Sequence, residues 1–234
     1  MESFVRRLKY YGIGFGIGLI FVLFFFQNRG CSWLPANRVK NSILERVLVM
    51  PDNQNDYMLS QGIKKEDIIS VLNDGDVNFD ASLKKANPQV YLIEKEMDNG
   101  KNLKVYFTLP KESFISEVHL SESRSSNVEN SKLGFGKIMR LPIDKHMVYV
   151  DSSNLVTCQQ EKLGLLNTVD IYQLWKKDAK VDFSKSALSR SPKPEHYIIF
   201  KDKKGREIGS KSIWYKTKIN ISSFDVPFET GCNE

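Results

Sequence analysis

The side chains of this chain that could do chemistry are few, and their spacing argues against most of it. His119, His146 and His196 each fall in or beside a segment that reads as a strand. No H-x-x-x-H or H-E-x-x-H spacing joins them, so a metalloprotease-like centre lacks its pattern and surface or satisfied core histidines are the plainer reading. Cys31, Cys158 and Cys232 form no C-x-x-C, which removes the usual zinc or dithiol arrangement. In an oxidising compartment Cys158 and Cys232 could pair as a disulfide, with Cys31 left as the odd thiol. Asp67 and Asp170 offer two carboxylates for acid–base work, but each lies in the first turn of an expected helix, where the macrodipole already favours an acid. Gly134-Phe135-Gly136 is not followed by the lysine and serine of a phosphate loop. Lys201–Glu207 is a mixed-sign run at a hairpin tip, read as a solvated turn. Trp175, Trp214, Tyr197 and Phe183 read as core, with an aromatic ligand groove as the alternative. No catalytic, cofactor-binding or metal-ligating residue is assigned, and no cofactor is expected.

The elements that would position these residues come in two like segments, 62–103 and 164–208. The first holds Val77-Asn78-Phe79 and Ser82, then Pro88, Tyr91 and Ile93; the second holds Val181-Asp182-Phe183 and Ser186, then Pro194, Tyr197 and Ile199. The offset drifts from 102 to 106, as small loop insertions would produce. Apolar residues at helical spacing predict a helix over roughly 64–73 and a counterpart over roughly 168–177, with Thr168 as N-cap and Ile171, Leu174 and Trp175 facing the core. Hairpins follow at Asp98-Asn99-Gly100-Lys101 and Asp202-Lys203-Lys204-Gly205, and a third strand follows each at Phe114–Leu120 and Ile219–Phe224. Further strands are expected ahead of each helix, at Arg46–Met50 and His146–Asp151. The expected fold class is α+β: a single N-terminal transmembrane helix, then two related small modules, each a short helix plus an antiparallel sheet. The boundaries are 1–9, a transmembrane helix at 10–26, a juxtamembrane segment at 27–44, a first repeat at 45–120, a linker at 121–133 and a second repeat at 134–234.

Charge is distributed unevenly. The chain of 234 residues carries 34 Lys+Arg and 28 Asp+Glu, a net +6. Residues 1–40 hold Arg6, Arg7, Lys9, Arg29, Arg38 and Lys40 against Glu2, so five of those charges flank one apolar run and the rest of the chain is near neutral. That pattern argues against a nucleic-acid partner. Tyr10–Phe26 has no charge, and at ~1.5 Å per residue it would extend ~25 Å, close to the ~30 Å hydrocarbon core. Phe26-Gln27-Asn28-Arg29-Gly30 after it supplies no A-x-A-like signal-peptidase site, and Asn28 and Arg29 do not suit a lipoprotein cut before Cys31, so an uncleaved signal anchor is expected. The tighter basic cluster before the run places the N-terminus in the cytoplasm and the body in the periplasm of a bacterial inner-membrane protein. Gly12/Gly16 and Gly14/Gly18 are two G-x-x-x-G pairs, which would let the helix associate with itself or with another envelope protein.

Ser60-Gln61-Gly62-Ile63, Asp67-Ile68, Val71-Leu72-Asn73-Asp74-Gly75, Tyr91 and the hairpin to Phe107 together resemble the bacterial domain-of-unknown-function family 4258. The whole layout, with Cys31-Ser32-Trp33-Leu34-Pro35 after the apolar run, is similar to anchored members found in Bacteroidetes. The resemblance implies a location and an architecture but no activity. Many soluble members carry a His and an Arg ahead of the helix, whereas Asp56–Gln61 has neither, which speaks against the chemistry of the small ribonuclease toxins of similar element order. The resulting expectation is a membrane-anchored periplasmic binding or scaffolding protein that is not a catalyst. The alternative is a hydrolase or toxin-like nuclease built on the same module.

Overall fold

The computed structural model describes residues 2–27, 34–120, 124–226 and 231–232. The chain divides into two compact units, Met1–Val39 and Lys40–Glu234. The first is dominated by helix α1 (Glu2–Gln27), and helix α2 (Pro35–Leu44) crosses the limit between the units. Among the described residues no helix is long and apolar enough to cross a membrane. This overturns the transmembrane helix and signal anchor expected at 10–26, and with them the inner-membrane location with cytoplasmic N-terminus and periplasmic body. In physical terms, the part of α1 with described side chains, Phe4–Val22, has Arg6, Arg7 and Lys9 in the same rod as its apolar residues, and Gly12, Gly14, Gly16 and Gly18 add little hydropathy. The side chains of Leu23–Phe26, the end of the expected span, lie outside the described residues, as does Cys31.

After the end of α2 the second unit continues with strand β1 (Val47–Pro51), helices α3 (Asp52–Ser60) and α4 (Lys65–Asp74), and strands β2 (Asp76–Leu83), β3 (Gln89–Glu96), β4 (Asn102–Leu109) and β5 (Ile115–Leu120). A short 3-10 turn at Ser125–Asn127 leads to β6 (Phe135–Arg140). The same run of elements then returns: β7 (Val148–Val150), α5 (Asn154–Leu163), α6 (Thr168–Asp178), β8 (Lys180–Ala187), β9 (Glu195–Lys201), β10 (Glu207–Tyr215) and β11 (Lys218–Asp225). These are not two separate modules with one short helix each. All strands join one mixed 11-stranded sheet in the order β2-β3-β4-β5-β1-β6-β8-β9-β10-β11-β7. In each half the strand ahead of the helices lies parallel to the last strand, β1 on β5 and β7 on β11. Strand β6 pairs antiparallel with both β1 and β8, and so closes the two halves into one sheet.

Local sequence explains most of this. In α4 the buried Ile68, Val71 and Leu72 recur at helical spacing, and the Asp67 carboxylate accepts the Lys64 N–H at 2.8 Å. In α6 the cap is Asn167 rather than Thr168: its side-chain oxygen accepts the Val169 N–H at 2.9 Å. Ile171, Tyr172 and Trp175 form the buried stripe there, with Leu174 only half-buried. The V-[ND]-F-x-x-S pattern builds a bulge. Asn78 Oδ1 accepts the Ala81 N–H at 3.0 Å, and Ser82 Oγ accepts the Leu92 N–H at 3.0 Å. Asp182 Oδ1 accepts the Ser184 N–H at 3.0 Å, and Ser186 Oγ accepts the Tyr197 N–H at 3.0 Å. Both sheets of pairs shift register at this point. Leu92 thus holds the place of Tyr197, and the sequence pairing of Tyr91 with Tyr197 is one residue out, which exchanges the sheet faces.

The two halves share one core. Val47, Val49, Phe114 and Ile115 from the first pack in one cluster with Trp175, Phe183, Ile198 and Phe200 from the second. The segment 121–133 does more than link: Val128 packs with Val90, Leu92 and Tyr106. Cys158 of α5 and Cys232 are bonded as a disulfide, their Cα atoms 5.8 Å apart.

Gly136 in β6 marks the tightest point of the seam. A Cβ there would lie 2.5 Å from Val49 Cγ1 and 2.8 Å from Phe183 Cε2. Gly136→Ala is expected to destabilise by roughly 1–3 kcal/mol through overpacking, read as a lower urea midpoint with both halves unfolding in one transition. Replacing both Cys158 and Cys232 by Ser, which opens a loop of 74 residues, is expected to lower stability by about 4 kcal/mol in the chain-entropy account. Equilibrium unfolding without reductant would measure it.

Candidate functional site

The structure scatters the residues that the sequence singled out. His119 lies buried on β5 with Nε2 3.4 Å from Glu117 Oε2, whose carboxylate also accepts the Ser131 hydroxyl at 2.7 Å. His146 is exposed in the loop after β6, and its backbone N–H donates to Asp144 Oδ1 at 2.8 Å. His196 is buried on β9 and pairs with neither of the other two histidines. Asp67 is used as a cap, and Asp170 pairs with Lys203 Nζ at 2.7 Å, so the two carboxylates serve their own halves. At the Lys201–Glu207 tip, burial alone would raise the Asp202 carboxyl. The N–H groups of Arg206 and Lys204 and the Arg206 guanidinium outweigh it and hold the group below the usual carboxylate range. Trp175, Phe183 and Tyr197 are buried, while Trp214 is half-buried, stacked on Phe114 and covered by the Arg46 guanidinium 5.6 Å from its ring centre. Gly12, Gly14, Gly16 and Gly18 have open space where a Cβ would stand. Among the described residues no group of three His, Cys, Asp or Glu side chains is placed to hold a metal ion.

One pair does have the geometry of a nucleophile and a base. Ser113 Oγ stands 2.7 Å from His196 Nε2. The rest of a catalytic arrangement is missing around it. His196 Nδ1 is buried with no partner to orient the ring, and burial pushes the imidazole down to about 3, so it is a poor base with no orienting carboxylate. The hollow beside the pair holds only about 40 Å³. Ser113 Oγ also accepts the Ile115 N–H at 3.0 Å, and His196 packs edge-on to Phe114 4.9 Å away. The pair reads as a polar staple between the first half and the second.

Two larger clefts adjoin at the end of β6. One, of about 450 Å³, lies between α4 and α6: Lys65 and Ile69 come from the first, Tyr172, Gln173 and Lys176 from the second. Ile138, Met139, Arg140 and Leu141 line it from β6 and its end, with Ile143 and Lys145 from the loop beyond. The other, of about 490 Å³, is lined by Leu44, Met147 and Trp214 together with Glu45 and Asp144. Arg140 and Ile143 belong to both. The Tyr172 hydroxyl donates to the Pro142 carbonyl at 2.7 Å and fixes the loop. Arg140 Nη1 donates to the Leu44 carbonyl at 2.9 Å, and burial lowers its pKa while the nearby Tyr172 opposes the shift. Of the wall residues the sequence singled out Trp214, as core or as part of an aromatic groove; the others come from separate elements of both halves, and none stands in a motif.

No family model matches the chain, and neither does any curated protein or any solved structure. The resemblance of Ser60–Phe107 to family 4258 therefore lends the clefts neither a ligand nor an activity.

The buried histidine makes a pH prediction. With the folded pKa near 3 and an unfolded value near 6.5, the unfolded chain binds the extra proton between those limits. Stability is then full above about pH 6.5 and falls as pH drops toward 3. Between pH 7 and pH 5 the loss should be about 2 kcal/mol, seen in urea midpoints, and it should shrink in His196→Gln.

Proposed function

We propose that this chain is a binding protein, not a catalyst, and that the paired clefts around Arg140 are its binding surface. The observation that carries the reading is a contrast. The accessible space of about 450 and 490 Å³ is walled by apolar and charged side chains with no nucleophile-and-base pair. The pair that does exist is sealed beside a hollow of about 40 Å³. Volumes of the first kind suit a small ligand, and those of the second admit no more than a water or two. Apolar walls with a few placed polar groups are what binding sites need for affinity and orientation.

The competing reading is a hydrolase using Ser113 and His196, favoured by their 2.7 Å separation alone. The test compares the full chain with Ser113→Ala on p-nitrophenyl esters and bis(p-nitrophenyl) phosphate. The expected outcome is turnover no faster than buffer for both proteins. A turnover present in the wild type and lost in Ser113→Ala would replace the binding reading with the hydrolase.

A further inference from the structure

The cleft between α4 and α6 has an unbalanced lining. Lys65, Arg140, Lys145 and Lys176 all border it, and no Asp or Glu does. Lys65, Lys145 and Lys176 enter no ion pair among the described residues. Arg140, half-buried, meets a backbone carbonyl at Leu44 and no carboxylate among the described residues. Gathering four cations around one concavity raises its potential and the local concentration of anions. A guanidinium drawn partly out of water gains most from a carboxylate or phosphate that meets its fork. Between these charges the walls are apolar: Ile138 and Leu141 are buried beneath, and Ile69 stands half-buried on the α4 side.

Resting on the reading of this chain as a binding protein, we propose that the α4–α6 cleft takes an amphipathic anion, a small molecule with one carboxylate or phosphate head and an unbranched apolar body. The head meets Arg140 and the lysines, and the body lies over Ile138 and Leu141 against Ile69. A cleft of about 450 Å³ falls within the ~300–1,000 Å³ of small-molecule sites, which suits one such molecule. The neighbouring cleft has Glu45 and Asp144 in its lining, so it does not compete for an anion.

The test is calorimetric titration of the full chain with decanoate, decylammonium, acetate and inorganic phosphate. The doubly reversed variant Lys145→Glu/Lys176→Glu is titrated alongside; both side chains are exposed, and circular dichroism checks its fold. Decanoate is expected to bind one per chain, at least tenfold more tightly than decylammonium, with acetate and phosphate weaker still for lack of a body. The double variant should lose at least tenfold in decanoate affinity, and Ile69→Ser should weaken it with the charges intact. Decanoate binding that is absent at millimolar concentration, equalled by decylammonium, or unchanged in the double variant would overturn the assignment. Co-sedimentation with phosphatidylglycerol vesicles, without binding of free decanoate, would also overturn it by giving the cations to a lipid surface. Those outcomes leave the binding reading standing, whereas Ser113-dependent turnover removes that reading itself.

Discussion

The two-sided pairing of β6 is the constraint on which the rest of the structure depends. Its Gly136, Lys137 and Ile138 neighbours bond to β1 on one side, and Phe135–Lys137 bond to β8 on the other. Without that strand the last edge of the first half and the first edge of the second would both be open, with unpaired N–H and C=O groups exposed for aggregation. With it, the sheet runs unbroken over eleven strands, and its outer edges are β7, only three residues long, and β2, where Asp76 and Asp80 blunt the edge with charge. Alternation along β6 then assigns three tasks to one face. Gly136 admits the close approach of Val49 and Phe183, Ile138 joins the core, and Arg140 emerges at the cleft.

The halves share an element order but solve the problem of the second sheet face differently. In the first, Val90, Leu92 and Tyr106 are apolar and need a cover, which Val128 supplies. In the second, the place of Leu92 belongs to Tyr197, whose hydroxyl donates to Asp225 Oδ2 at 2.6 Å while Lys185 Nζ lies 4.9 Å from its ring centre. Burial, reinforced by Asp225, raises that phenol well above its usual value, so it remains a neutral donor. Here the cover of the buried ring comes from polar partners, Asp225 and Lys185, in place of an apolar strap residue. The stretch 121–133 read as a linker because it is polar; its one buried apolar residue, Val128, holds it against the sheet.

What was legible in the sequence followed from short-range rules. Helices α4 and α6 carry their apolar stripes at the right spacing, and the Asn99-Gly100 and Lys204-Gly205 turns place Gly100 and Gly205 at positive φ, as the hairpins require. Helix α3 was not legible: Asp52-Asn53-Gln54-Asn55-Asp56 has no apolar period, and only Met58 is buried, so the helix is held by where it lies and not by its own pattern. Helix α5 hides likewise, since Gln159 occupies a buried position, its amide donating to the Phe224 carbonyl at 3.0 Å. The V-[ND]-F-x-x-S likeness was visible, but its cause is backbone geometry at a bulge and not chemistry. The one-residue slip between Tyr91 and Tyr197 shows the limit of aligning by residue type, because only the ladder fixes which face a strand residue occupies.

The cleft belongs to the joined sheet and to neither half. Matching Asp67 to Asp170 sets Ile69 beside Tyr172 as equivalent positions of α4 and α6, and both line the cleft from opposite walls. The charges do not follow that equivalence. Lys65 corresponds to Thr168, Lys176 corresponds to Asn73, and Arg140 lies on β6, which has no counterpart. A cleft made by the fold alone would be lined by whatever the common scaffold demands, namely the Ile69 and Tyr172 positions. Its cations instead stand at positions the common scaffold does not fix, Lys65 on α4, Lys176 on α6, Arg140 on β6 and Lys145 in the loop beyond, and all four border the one cleft. The packing of the sheet does not call for these charges, and an anion in the cleft would supply the opposite charge that its lining lacks.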